Sequence, residues 1–170
     1  MISWVCFQWD LSLVQCPSPA ISPLSIRPAR SSDAKTVLKV INTAFELDSA
    51  WGDVVRPIQE KMKLHVNSAF EEEEPACVVV QHGSRIIGAS LLDLDPSAEN
   101  HLLSGPMILH EYRNRGVGSG LLAASLEHLR SRGVAKALGV TRANSVVARF
   151  IYPKFSSAQI PFAGDPLRKS

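Results

Sequence analysis

The sequence predicts an α/β domain whose elements run strand, helix, helix, strand, strand, strand, helix, strand, helix. Three observations carry this. Segments with apolar residues at helical spacing alternate with short β-branched runs. Two of those runs flank a His82-Gly83 turn and read as a hairpin. Over 107–122 an apolar strand-like run passes, through a basic and glycine-rich turn, into an apolar helical pattern. A chain of 170 residues is long enough for one domain with a sizeable core.

Residues 1–24 do not fit this pattern. Met1 to Trp9 is apolar but short, and no basic residue precedes it. Pro17, Pro19 and Pro23 then interrupt any regular element before residue 24. A signal peptide would need a basic start, and a membrane span needs ~20 apolar residues. The expectation is a poorly ordered N-terminal extension that the fold can do without, with the domain proper at 25–155 and a short tail at 156–170.

The first strand is read at Ser25-Ile26-Arg27-Pro28-Ala29, followed by N-cap candidates Ser31, Ser32 and Asp33. Val37, Leu38, Val40, Ile41, Ala44 and Phe45 share a helical face; after the break at Trp51-Gly52-Asp53, Val55, Ile58, Met62, Val66, Ala69 and Phe70 share another. Glu71 to Glu74 is a solvated acidic run or, alternatively, a lure for a cationic substrate. Residues 76–93 form the hairpin. Leu102 to His110 reads as the next strand, interrupted by Gly105-Pro106, where a proline favours a bulge or an edge. Val117, Leu121, Leu122, Ser125, Leu126 and Leu129 line a third helix with Gly133 as its stop. Val134 to Thr141 is a strand, and Asn144 to Tyr152 a helix ended by Pro153.

The turn before the third helix carries the chemistry. Its sequence is Glu111-Tyr112-Arg113-Asn114-Arg115-Gly116-Val117-Gly118-Ser119-Gly120. A helix start offers unpaired backbone N–H groups and the positive end of the macrodipole, which together attract an anion. Glycines at 116, 118 and 120 let a phosphate approach, and Arg113 and Arg115 add charge. The same glycines also suit a plain strand-to-helix connection. A P-loop would need Lys and then Ser or Thr after the last glycine; a dinucleotide fingerprint would need Gly-x-Gly-x-x-Gly after the first strand. Neither is present.

Arg113, Gly116 and Gly118 instead spell Arg-x-x-Gly-x-Gly, which resembles the acyl-CoA loop of the GNAT family of N-acetyltransferases. The order of elements resembles the family's core. So does Asn144 through Phe155, where the family's last helix opens on an Asn and places Ala and Tyr four apart, as Ala148 and Tyr152 are here. This chain has one residue more than usual between Asn and Ala, and lacks the family's glycine after Lys154. The resemblance covers about residues 25–155. It implies a mixed α/β (α+β) sheet flanked by helices, with fourth and fifth strands parallel but splayed by a bulge, at Gly105-Pro106 or at Leu109-His110. Acetyl-CoA as co-substrate would lie in the notch.

On that resemblance Arg113, Asn114, Arg115 and the backbone of Gly116, Val117, Gly118, Ser119 and Gly120 hold the pyrophosphate. Ile108 and Leu109 offer backbone N–H groups to the pantetheine arm and the thioester carbonyl, Asn144 bonds the arm or caps its helix, and Tyr152 protonates the departing thiolate or packs as a core aromatic. An amine of pKa ~10 must lose a proton before it attacks; Asp93, Asp95, Glu99 and Glu111 are the carboxylates on or beside the strands. Only Ser156 to Ser170 follow the last helix, with one short strand at Ala158 to Phe162. The acceptor pocket is therefore either open or completed by a second subunit in a homodimer.

A net charge of +2, from 18 basic and 16 acidic residues, implies neither a nucleic-acid nor a membrane partner. Cys6, Cys16 and Cys77 show no paired spacing, so free thiols in a reducing, cytoplasmic setting are expected. No metal-ligand spacing is seen. Two function classes remain: an acetyl-CoA-dependent N-acetyltransferase, moving acetyl to a primary amine by direct transfer in a ternary complex, and a non-catalytic module of the same fold that binds CoA but has an incomplete acceptor site.

Overall fold

The computed structural model describes residues 3–14 and 23–167. Cys16, Pro17, Pro19 and the last three residues of the tail lie outside them.

Two antiparallel sheets form the centre. The first contains β2 (Leu24–Pro28), β3 (Cys77–His82), β4 (Arg85–Leu91) and β5 (Met107–Ile108), in that order. β3 and β4 are the expected hairpin, with Gly83 at φ +60 in its turn and a bulge where Val80 and Gln81 shift register. The valines of β3 are buried, as a strand covered on both faces requires.

Helices α1 (Ala34–Leu47) and α2 (Val55–Ala69) pack on one another and on this sheet. Val37, Val40, Ile41, Ala44 and Phe45 of α1 are all buried, at the spacing that defines one helical face. Asp33 fixes the start: its carboxylate pairs with Arg27 of β2 at 2.8 Å and accepts the Arg30 N–H at 2.8 Å. α3 (Val117–Ser131) buries Val117, Leu121, Leu122, Leu126 and Leu129. It stops at Gly133 with φ +90, where the Val134 N–H returns to the Leu129 carbonyl.

The second sheet runs β6 (Lys136–Arg142), β1 (Trp4–Asp10), β7 (Ala158–Ile160). This corrects the expectation for residues 1–24. Trp4 to Asp10 is not an extension; it pairs along its length with Arg142 to Lys136, while Cys6, Phe7 and Gln8 pair with β7 on the other edge. Trp9 is fully buried, and Phe7, Leu11 and Val14 are also in the core. The apolar run is β-forming because it sits in the middle of a sheet, and both its partners lie far downstream in the chain. The short tail does supply a strand, and β1 completes the sheet beside it.

The two sheets join at one end and part at the other. Upstream of β5, the His101 N–H donates to the Leu138 carbonyl at 2.7 Å, while Nδ1 of buried His101 accepts the Leu138 N–H at 3.0 Å. The Asn100 side chain accepts the Val140 N–H at 3.0 Å. The chain then kinks at Gly105, with φ +70, and Pro106; β5 beyond it pairs only with β4. The splay is thus at Gly105-Pro106, the first of the two places expected. The expected strand from Leu102 to His110 is reduced to a bridge at Leu102, two residues of β5 and a 3-10 turn at His110–Tyr112.

Candidate functional site

A cleft of about 240 Å³ opens where the sheets part. One wall is the start of α3. Asn114 and Gly116 have φ of +64 and +75, so the chain reverses twice before the helix begins; Asn and Gly are the residue types that take this conformation without large strain. The Gly116 carbonyl accepts the Gly120 N–H at 3.0 Å, the first bond of the helix. The N–H groups of Val117, Gly118 and Ser119 precede that bond and have no partner within the helix. They are the unpaired amides at the turn where the sequence reading expects a pyrophosphate. The Gly120 amide does not belong with them, because its hydrogen bond is already made.

Arg113 and Asn114 line the cleft with Gly116, Val117, Gly118 and Ser119. Arg115 does not. Its guanidinium lies over the Tyr112 ring at 5.8 Å. In its place stands a cation to which the sequence pattern assigns no role: Lys154 lines the cleft, and its Nζ donates to the Ser119 hydroxyl at 2.6 Å.

The opposite wall is β5. Met107 pairs with Ala89, Ile108 with Gly88, and the Leu109 N–H donates to the Ile87 carbonyl at 2.9 Å. Antiparallel partners alternate between bonded and non-bonded pairs. Ile108 is therefore the non-bonded one, and its N–H faces away from β4 into the gap. Leu109, expected to share that role, spends its amide on the sheet.

The third wall is a π-helical turn at Val147–Ile151, where an α-helix from Asn144 was expected. The Tyr152 N–H bonds the Val147 carbonyl at 2.8 Å, five residues back. Ser145 Oγ accepts the Ala148 N–H at 3.2 Å, and the Asp48 carboxylate accepts the Val146 N–H at 3.1 Å. Those two residues hold the start of the turn. Asn144 is exposed, caps nothing, and is not among the residues lining the cleft.

Tyr152 fills the crotch between the sheets. A Cβ at position 105 would stand 2.8 Å from its hydroxyl, and one at 139 would stand 3.0 Å from its ring. Both positions are glycine, which is what admits the ring. Phe7 and Trp9 of β1 meet it edge-on, at centroid distances of 5.6 and 5.2 Å. The Trp9 indole N–H also donates to the Lys154 carbonyl at 2.9 Å. Burial, with a smaller contribution from Cys6, pushes the Tyr152 phenol well above its ordinary pKa.

Tyr152 does not line this cleft; it lines a second cavity, of about 490 Å³. Ser104, Thr141 and Tyr152 line it, as do Asp93, Glu99, Lys61 and His65. Burial, helped by Lys61, pushes the His65 pKa down, and Asp93 opposes that shift. Asp93 and Glu99 are thus the two carboxylates of the four considered that reach a cavity. Asp95 turns back onto Ser97, and Glu111 pairs with Arg85 on the surface. Glu71 to Glu74 are exposed and line neither cavity; Glu74 lies beside Arg132. Among the described residues no group of three His, Cys, Asp or Glu side chains gathers as a metal ligand set, and no helix is long and apolar enough to cross a membrane.

The family model described as Acetyltransferase (GNAT) family matches residues 41–155, more than half of the chain. This chain belongs to the GNAT acetyltransferase family. The structure is similar to the GCN5-related glucosamine N-acetyltransferase region of a fungal multi-domain β-N-acetylglucosaminidase, at 15% identity and a TM-score of 0.61 over 94% of this chain and 20% of that one. A GNAT-family acetyltransferase of Colwellia psychrerythraea matches at 12% identity and a TM-score of 0.63, over 94% of this chain and 53% of the other. A GCN5-related N-acetyltransferase of Sphaerobacter thermophilus matches at 15% and 0.60, over 84% and 43%. The chain thus spans between a fifth and about half the length of these proteins. No curated protein matches it.

Proposed function

We propose that this chain is an N-acetyltransferase that takes the acetyl group of acetyl-CoA and passes it directly to a primary amine bound on the other side of Tyr152. One observation carries the reading: three unpartnered amides at the start of α3 and the outward N–H of Ile108 line the same cleft. The first set suits a pyrophosphate. The second suits a carbonyl whose oxygen gains charge as the amine attacks. Arg113 and Lys154 add positive charge at the phosphate end. Acetyl-CoA supplies the activated acyl group and a thiol leaving group.

Tyr152 holds its proton at neutral pH, as a donor to the leaving thiolate requires, and burial makes it a weaker acid that must be aligned with the forming thiolate. Asp93 and Glu99 are the carboxylates positioned to relieve the incoming amine of its proton, through water where they do not reach it. A covalent acyl-enzyme finds little support. Cys6 and Cys77 are both buried; burial raises the Cys6 thiol and pushes Cys77 up to about 12, so neither is a ready thiolate nucleophile. The alternative, a module that binds CoA without catalysis, draws on the short tail after Tyr152; β1 takes up the sheet position beside that tail, which favours the catalytic reading.

Gly118→Glu tests the donor site. A Cβ there meets the flexible tip of Ile151 at 2.7 Å and no backbone atom, and a carboxylate near a helix start favours the helix itself. The variant should fold, with an unchanged circular dichroism spectrum. Calorimetry should show the affinity for acetyl-CoA reduced by ~100-fold or more. A folded variant that binds as the wild type does would refute the assignment.

A further inference from the structure

We propose that the larger cavity is the acceptor site and that its substrate is a small free amine with a flat apolar body, an inference that rests on the acetyl-transfer reading above. Its place argues for the first part. Ser104 lines it and Pro106 lines the donor cleft, so the two cavities lie on either side of the Gly105 kink, and Tyr152, whose hydroxyl stands beside Gly105, lines the larger one.

The walls argue for the substrate class. Trp51 meets Trp4 and Phe45 edge-on, at centroid distances of 5.7 and 4.9 Å, and all three rings border the cavity. Such a wall takes up a ring or an alkyl body and gives sugar hydroxyls few partners. Asp93 and Glu99 are the carboxylates available to an amine, since Asp165 sits close enough to Lys61 to act on its charge. An ammonium is matched there.

The roof argues for size. Phe162 to Leu167 line the cavity from the C-terminal segment, and Lys61 Nζ donates to the Pro166 carbonyl, fastening that segment to α2. A cavity of about 490 Å³ suits a small molecule.

Acetyl-CoA binding is measured first by calorimetry, and then thiol release with 2-phenylethylamine, glucosamine, spermidine and a folded lysine-rich protein. The aryl amine should show kcat/KM higher than each of the others by ~30-fold or more, the order expected from burying a phenyl ring. It should also shift the tryptophan fluorescence saturably in the presence of CoA. Trp4→Ala should cost the aryl amine about tenfold in kcat/KM and leave acetyl-CoA affinity alone. Phe162→Ala on the roof, which disturbs no central strand, should act in the same direction if Trp4→Ala does not fold. Preference for glucosamine, spermidine or the protein, with acetyl-CoA bound normally, overturns the substrate class alone. Failure to bind acetyl-CoA overturns the acetyl-transfer reading and this inference with it.

Discussion

Replacing Trp9 by alanine is expected to cost the fold about 3–5 kcal/mol, and a chain that begins at Ser25 is expected to lose cooperative unfolding. Trp9 is fully buried in β1, meets Tyr152 edge-on and bonds the Lys154 carbonyl. Its removal leaves a cavity under the catalytic candidate and an unpaired carbonyl beside it. Deleting the whole strand also strips one edge each from β6 and β7, which are joined in their sheet through β1. Urea denaturation followed by tryptophan fluorescence and far-UV circular dichroism measures both effects. A chain starting at Ser25 that melts within a few degrees of the full one would mean that β1 contributes little, as its sequence alone suggested.

Tyr152→Phe should leave stability nearly intact and lower kcat by ~10²–10⁴-fold, the usual worth of general acid–base catalysis. The ring and its contacts with Phe7 and Trp9 are kept; only the hydroxyl beside Gly105 is lost. KM for acetyl-CoA should move little, because the hydroxyl matters as the thiolate forms. A kcat within about threefold of wild type, with chemistry shown to be rate-limiting, would reduce Tyr152 to a packing residue. Together the two variants separate what the crotch of the sheets does for folding from what it does for the reaction.

The parts of this protein that repeat at a regular spacing could be read from the chain. The buried faces of α1 and α3, the β3–β4 hairpin and the stop at Gly133 all derive from local pattern and turn chemistry. β1 could not be read in the same way. Its alternation is short, prolines come after it, and the strands that bury it lie more than a hundred residues downstream. Nothing local marks such a pairing.

The site divides along similar lines. The loop from Arg113 to Ser119 was legible because glycines and arginines before a helix have a direct chemical meaning. Which amides are free was not. Leu109 and Gly120 look equivalent to their neighbours in sequence, but strand register fixes the first and the first helical bond fixes the second. Arg115 and Asn144 are of the right residue type and do not line the cleft. Lys154, far along the chain, reaches the loop through its bond to Ser119 and is held at its carbonyl by Trp9.

The most direct test of the donor site is an amide-by-amide titration, recording ¹H–¹⁵N correlation spectra of the labelled chain as acetyl-CoA is added. The amides of Ile108, Val117, Gly118 and Ser119 should shift most, since they are the free donors of the cleft. Those of Leu109 and Gly120, already bonded within the fold, should shift less than their immediate neighbours. Shifts centred on the larger cavity, or spread evenly along residues 113–120, would contradict the donor site described here.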